Sequence, residues 1–165
     1  RPPYDTAPRL DWPVQMYPSN GTDAQKWRMQ RNSDETVTFI SIANGYALDV
    51  AGASDVVNTR VQTYEPNGTE AQKWVLERMS ETAEGVEYFP KETAPLVITP
   101  VCAPDIRLDV AGASDSPGAV VQLYEPNLTH AQQWYVLDNS DGTFSIFNNA
   151  SGSKLALDVV GGGRR

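Results

Sequence analysis

An aspartate, a tyrosine fifteen residues later and a glutamine eight residues beyond that occur twice in this chain, as Asp49, Tyr64, Gln72 and as Asp109, Tyr124, Gln132. An asparagine follows each tyrosine at the same distance, Asn67 and Asn127. An ionised carboxylate is acceptor-only and can take two hydroxyl donors through charge-assisted hydrogen bonds. A tyrosine ring is a rigid flat surface with a polar tip, ordered at small entropic cost. Amide side chains both donate and accept. Such a set suits a ligand offering paired hydroxyls and a patch of C–H groups. It does not suit bond cleavage: no nucleophile is spaced beside a base, and each set holds one recurring carboxylate where glycoside hydrolysis needs two across one bond. The plainer reading of an aspartate in a repeated turn is a backbone acceptor, and a repeat also needs its turns pinned, a job for the glutamines.

The two sets sit inside longer repeated blocks. Leu48-Asp49-Val50-Ala51-Gly52-Ala53-Ser54-Asp55 recurs as Leu108-Asp109-Val110-Ala111-Gly112-Ala113-Ser114-Asp115, and Val61-Gln62-Thr63-Tyr64-Glu65-Pro66-Asn67 recurs as Val121-Gln122-Leu123-Tyr124-Glu125-Pro126-Asn127. Ala71-Gln72-Lys73-Trp74 recurs as Ala131-Gln132-Gln133-Trp134. Identity at fixed offset signals a repeat architecture. A third copy is split between the ends of the chain. Its back half is Val14-Gln15-Met16-Tyr17-Pro18-Ser19-Asn20 with Ala24-Gln25-Lys26-Trp27, and its front half is Leu157-Asp158-Val159. Joining end to start leaves nine residues too many between Asp158 and Tyr17, which we assign to two loose tails, Gly161-Gly162-Gly163 among them. The rival, Asp11 in Leu10-Asp11-Trp12, lies only six residues before Tyr17, too few for the same loop. The third set is therefore Asp158, Tyr17, Asn20 and Gln25.

Short β-rich runs bounded by turn residues fall near 14–17, 26–30, 37–42, 46–50, 60–64, 73–77, 96–101, 106–110, 119–124, 133–137, 143–147 and 154–159. That is four strands per copy, with turns such as Asn44-Gly45 and Asp141-Gly142 between them. No segment has a long helical apolar period. A weaker run at 86–89 lies in an insertion between the second and third copies. The expectation is one all-β domain over 1–165, with repeats at 10–32 plus 143–161, at 36–79 and at 94–138. The last half-repeat pairs with the first and closes the sheet, which removes sticky edges.

Three Gln-x-Trp motifs, Gln25/Trp27, Gln72/Trp74 and Gln132/Trp134, each in register with a Leu-Asp-Val, resemble the ricin B-type β-trefoil lectins over about residues 10–161. The resemblance implies a twelve-stranded β-trefoil of pseudo-threefold symmetry that binds carbohydrate, galactose or GalNAc-type glycans in particular. It implies that Asp49, Asp109 and Asp158 take sugar hydroxyls and that Tyr64, Tyr124 and Tyr17 stack on the ring. It places Gln72, Gln132 and Gln25 close by, orienting the aspartates, and packs the tryptophans in the core. Asn67, Asn127 and Asn20 complete the sugar-binding set. Two departures stand out. Cysteines frequent in the family are replaced by Ala47, Arg107 and Ala156 and by Pro66, Pro126 and Pro18. The asparagine often found just before Gln-x-Trp is Ala24, Ala71 and Ala131 here, which weakens the case for galactose more than for sugar binding.

Composition removes other functions. The formal net charge is -8, with Asp+Glu 21 against Lys+Arg 13, and no basic run or basic-aromatic stripe exists. Nucleic-acid binding and attachment to an anionic membrane are poor readings, and no apolar stretch is long enough for membrane insertion. One cysteine, Cys102, and one histidine, His130, give no internal disulfide, metal site or histidine-based triad, so no metal or cofactor is expected. The expected partners are glycans or glycoproteins, with a homodimer compatible with weak sites used together. The chain starts at Arg1 without a methionine or signal peptide, which favours a secreted or processed protein despite the lack of disulfides. Rival readings are a carbohydrate-binding module or targeting subunit of a larger enzyme or toxin, and a β-trefoil protease inhibitor using the insertion Met79–Thr93. Asn-x-Ser/Thr triplets begin at Asn20, Asn67, Asn127 and Asn149; three recur at one repeat position, so a turn motif is a better reading than glycosylation.

Overall fold

The computed structural model describes residues 11–79 and 94–163. Twelve strands follow in order: β1 Asp11–Pro18, β2 Trp27–Arg31, β3 Val37–Ser41, β4 Ala47–Val50, β5 Val61–Tyr64 and β6 Trp74–Arg78. Then come β7 Leu96–Pro100, β8 Arg107–Val110, β9 Ala119–Tyr124, β10 Trp134–Asp138, β11 Phe144–Asn148 and β12 Leu155–Val159. Among the described residues the helical pieces are short 3₁₀ turns. The weak run at 86–89 and nearly all of the Met79–Thr93 insertion lie outside the described residues. The strands fall close to their expected spans except β1, which starts earlier. Pro13 masks that start in the sequence, since proline cannot donate to a ladder, yet Asp11–Pro13 pair with β5, Asp11 opposite Tyr64.

Six strands close a ring, each paired to the next: β2–β3, β3–β6, β6–β7, β7–β10, β10–β11 and β11–β2. The other six form three two-stranded ribbons, β4–β5, β8–β9 and β12–β1. The ribbons meet one another through β1–β5 and β1–β9 pairs and a bridge between Arg60 and Gln122. The result is a β-trefoil whose first repeat is split between the termini. Val14 pairs with Val159 and Gln15 with Asp158, so the ends of the chain build one ribbon together.

Sequence pattern explains which faces are covered. β5 alternates, with Val61 and Thr63 buried and Gln62 and Tyr64 half-exposed, as a ribbon with one covered face must. β4 is buried throughout, because Leu48 and Val50 face the core while Asp49 is roofed by the loop leading to Gln72. The three repeated tryptophans are fully buried. Each opens a strand at a junction: Trp74 pairs with Pro100 in its own hairpin and with Val37 across the ring. Each indole also donates to the Leu carbonyl of Leu-Asp-Val, Trp74 to Leu48 and Trp134 to Leu108 at 3.1 Å and Trp27 to Leu157 at 3.3 Å. One side chain thus fills the core and ties the ring to a ribbon, which is how a buried tryptophan satisfies its N–H.

The reading of Gly161–Gly163 as a loose tail is corrected. These residues form a 3₁₀ turn, Val160–Gly163, that matches the turns Ala51–Ala53 and Ala111–Ala113 of the other two copies. Gly161 (φ 63°) and Gly162 (φ 68°) take the left-handed conformation that Gly52 and Ala53 take at 65° and 52°. The turn is fastened by the Trp12 indole, which donates to the Val160 carbonyl at 3.0 Å. Gly163 lies so close to Asn44 that a Cβ would sit 2.8 Å from the Asn44 Cβ. Glycine composition suggested flexibility, whereas here it meets a positive φ and a close approach.

Two outcomes follow for stability. Replacing Trp74 by alanine should cost about 3–5 kcal/mol, read by denaturant unfolding, through the cavity left behind. Removing 143–165 deletes β11 and β12 and should abolish cooperative melting, whereas a stably folding 1–142 fragment would contradict the shared ribbon. Removing only 161–165 should lower the melting temperature, by about 2–4 °C for each kcal/mol lost.

Candidate functional site

The ribbon register places the candidate residues. Asp49 lies directly opposite Gln62, Asp109 opposite Gln122 and Asp158 opposite Gln15. Opposed residues on antiparallel strands share a face. Gln62 Nε2 donates to Asp49 Oδ1 at 3.1 Å, Gln122 Nε2 to Asp109 Oδ1 at 3.1 Å and Gln15 Nε2 to Asp158 Oδ1 at 3.0 Å. The Gln-x-Trp glutamine arrives from the other side. Gln72 Nε2 reaches Asp49 Oδ2 at 3.0 Å, Gln132 Nε2 reaches Asp109 Oδ2 at 2.9 Å, and Gln25 Nε2 reaches Asp158 Oδ2 at 3.0 Å. Every carboxylate oxygen therefore accepts one amide hydrogen and keeps a further lone pair.

The second hydrogen on that glutamine is spent on the scaffold. Gln25, Gln72 and Gln132 donate it to the carbonyls of Pro18, Glu65 and Glu125. Their Oε1 atoms accept from the backbone N–H of Asn20, Asn67 and Asn127 at 2.9, 2.9 and 3.1 Å. These glutamines are buried with no donor left over. They act on the site by fixing the aspartate. The asparagines close a turn: Asn67 Oδ1 accepts from the Thr69 N–H at 3.0 Å and from its hydroxyl at 2.8 Å, and Asn20 and Asn127 hold Thr22 and Thr129 alike. That is an Asx turn, and it leaves each asparagine its Nδ2 group for other contacts. Asn149 is not part of this pattern; its Nδ2 donates to Gln133 Oε1 at 2.8 Å.

Two clefts open over these sets. The split copy has one of ≈ 690 Å³ bounded by Gln15, Tyr17, Asn20, Asp158 and the Gly161–Gly163 turn, with Asp23 and Ala43 at its rim. The Asp109 copy has one of ≈ 380 Å³ bounded by Gln122, Tyr124, Asn127, the Ala111–Ala113 turn and Asn58. Tyr17 is 42% exposed and Tyr124 36%, and each borders the same cleft as its carboxylate. Tyr64, in the Asp49 copy, is half-buried opposite Asp11. The glutamines Gln15, Gln62 and Gln122 belong to the candidate sets through their bonds to the aspartates, and sequence reasoning passed over them as mere repeat background. Their recurrence two residues before each tyrosine was the available signal. Asn58 was invisible because it comes from another repeat. Ala24 bounds the larger cleft and Ala131 the smaller, with only a methyl group to offer.

Burial pushes the Asp49 and Asp109 carboxyls above the ordinary 3.8, and the two glutamine amides on each pull the other way. The folded state then holds the proton more readily than the unfolded chain between 3.8 and the raised value. Stability from these two groups accordingly grows as pH falls through that window and is lost as pH rises through it. Exposed Asp34 behaves oppositely. Hydrogen bonds from the Thr36 hydroxyl and N–H, with Lys73 at 3.1 Å, hold it down at about 2, so its contribution is present above 3.8 and lost towards about 2. Asp141 is lowered by the matching Thr143 contacts, with Lys26 at 3.7 Å. Cys102 packs against the core, and burial pushes its thiol up, which disfavours the reactive thiolate. Among the described residues no group of three His, Cys, Asp or Glu side chains could hold a metal ion, and no helix is long and apolar enough to cross a membrane.

The family described as ricin-type beta-trefoil lectin domain-like matches residues 23–89 and 102–164. The chain belongs to this family. No curated protein matches it by sequence. Solved structures share its fold. The designed threefold-symmetric protein ThreeFoil is 22% identical, with a TM-score of 0.53 over 82% of this chain and 88% of that one. A Macrolepiota procera ricin B-like lectin in complex with lactose is 18% identical, with a TM-score of 0.56 over 80% of this chain and 97% of that one. An exo-beta-1,3-galactanase from Clostridium thermocellum is 17% identical, with a TM-score of 0.60 over 79% of this chain; the match spans only 30% of the galactanase. The ricin-type fold thus occurs both as nearly a whole chain and as part of a longer one.

Site-resolved NMR titration of the carboxyl carbons checks the electrostatics. Asp49 and Asp109 should titrate above 3.8 and Asp34 near 2. Midpoints at or below 3.8 for the first two would mean that they are solvated rather than roofed.

Proposed function

We propose that this domain is a multivalent, non-catalytic lectin whose three aspartates each take a pair of sugar hydroxyls, galactose or GalNAc-type glycans being the ligand class. The observation that carries the reading is the double glutamine clamp on every carboxylate. A structural aspartate needs its oxygens satisfied, and one amide hydrogen per oxygen leaves half of its acceptor capacity, which for Asp109 and Asp158 borders a cleft. Membership of a lectin-like family supports it, as does the lactose held by the Macrolepiota relative. In this reading Tyr17, Tyr64 and Tyr124 stack on the sugar, Asn20, Asn67 and Asn127 offer their Nδ2 groups, and Gln25, Gln72 and Gln132 position the aspartates. Shallow sites of this kind are individually weak, so avidity comes from several sites on one trefoil or from pairing of two copies. Fold relatives that are parts of a galactanase and of a mosquitocidal holotoxin support a second reading, in which the same lectin chemistry targets a larger enzyme or toxin.

Asparagine is the cleaner probe of the aspartates than alanine, because alanine would strand both glutamine donors, the Gln-x-Trp one buried. Asp49→Asn, Asp109→Asn and Asp158→Asn should each weaken its own site by about 1.5–3 kcal/mol while the melting curve stays cooperative. A glycan array followed by calorimetric titration with the strongest galactose-terminated hit measures this. Undiminished stoichiometry in the triple variant would remove the aspartates from the site. Titrations at falling pH should lose affinity as the Asp49 and Asp109 carboxyls protonate, beginning above the ordinary 3.8.

A further inference from the structure

The three sets are alike within their own repeats, but each also meets one residue from the repeat next to it. Asn58 precedes β5, in the Asp49 copy, yet it bounds the cleft of the Asp109 copy. Its N–H donates to the Leu123 carbonyl at 2.7 Å, which pins it beside Tyr124. Gly118 stands at the matching place one repeat on. Its N–H donates to the Met16 carbonyl, also at 2.7 Å, beside Tyr17. Both residues have positive φ, 72° for Asn58 and 88° for Gly118. A Cβ built on Gly118 would approach Gln15 Oε1, a cleft group of the split copy, to 3.9 Å, which is ordinary contact. The third matching position is Asp11, opposite Tyr64 in the Asp49 copy. One structural position thus carries an amide at one site, no side chain at the second and a carboxylate at the third.

We infer that this cross-repeat position is a specificity-determining contact, and that Asn58 gives the Asp109 site a polar recognition group which the Asp158 site lacks. The inference rests on the lectin reading above. The conserved parts of each set, carboxylate, clamp and tyrosine, would bind any ligand with paired hydroxyls. They cannot tell the three sites apart, because they are the same in all three. Asn58 is exposed, and its amide can both donate and accept. It borders the Asp109 cleft next to Tyr124, within reach of a ligand held by that repeat. At the Asp158 site Gly118 offers no side chain at the matching place.

Asn58 already holds a positive φ that glycine adopts freely, whereas Gly118→Asn puts asparagine at φ 88°, where a side chain carries some strain. The experiment uses the full chain in wild-type, Asn58→Gly and Gly118→Asn forms, titrated separately with lactose and with N-acetylgalactosamine. Side-chain amide resonances of Gln122, Gln15 and Gln62 report the three sites separately. Asn58→Gly should weaken binding at Gln122 by about three- to tenfold for at least one of the two sugars and leave Gln15 and Gln62 unchanged, as loss of one hydrogen bond predicts. Gly118→Asn should alter the ratio of the two affinities at Gln15 alone. Wild-type binding at Gln122 with the same constants in Asn58→Gly overturns this inference and leaves the lectin reading standing. Wild-type protein that perturbs none of the three amides with either sugar overturns both.

Discussion

The side-chain amide of the Gln-x-Trp glutamine is the interaction on which this molecule turns. In one repeat, Gln72 holds the Asp49 carboxylate, the Glu65 carbonyl and the Asn67 N–H together. Two residues on, Trp74 fills the core and donates to the carbonyl of Leu48, the neighbour of that same aspartate. The tripeptide therefore grips Leu-Asp-Val twice, from the apolar side through the indole and from the polar side through the amide. Neither grip is dispensable, since a buried amide or carboxylate without partners costs about 1–3 kcal/mol for each stranded group. The carboxylate can be buried without a cation because amides solvate it, and the remaining desolvation shows as the upward displacement of the Asp49 and Asp109 carboxyls.

Fold and site are consequently built by the same contacts. The ring of six strands needs the tryptophans at its junctions, and the ribbons need the aspartates clamped, so a chain that completes the trefoil also completes three clamped carboxylates, two of them beneath a cleft. This explains how the split repeat works. Asp158 and Tyr17 stand at opposite ends of the sequence, yet the pairing of Met16 with Leu157 brings them to one face with Gln15 and Gln25. The loop-closure cost of joining distant segments grows only slowly with length, and burying Met16, Leu157 and Val159 offsets it.

Much of this was legible in the residues because a repeat supplies its own control. Three Leu-Asp-Val segments and three Gln-x-Trp segments located the strands, the trefoil and the tryptophan core. What escaped was whatever the repeats do not share or share too evenly to stand out. Gln15, Gln62 and Gln122 recur with the tyrosines and look like strand filler until the register sets them opposite the aspartates. Gly161–Gly163 looked like a tail because its composition differs from Ala-Gly-Ala, although the backbone demand, two successive left-handed residues, is the same. Asn58 could not be assigned to the Asp109 cleft from sequence at all, since only the meeting of two ribbons brings it there. The start of β1 was hidden by Pro13.

Pseudo-symmetry also sets a limit on how the sites can differ. The carboxylate, its two glutamines and the turn asparagine are locked to the scaffold by hydrogen bonds, so a substitution that strands their partners would cost stability. Freedom lies in the residues around the rim: glycines for alanines in the turn after Leu-Asp-Val, Asp23 where the other copies have Glu70 and His130, and Arg107 where they have Ala47 and Ala156. Arg107 carries a buried Nε without a partner among the described residues, so the Asp109 ribbon tolerates a strain that its siblings avoid. A trefoil of this kind can keep three identical anchors and still surround each with different residues. The positions that differ are ones that the scaffold does not need, and they come from the seams between repeats as well as from within them.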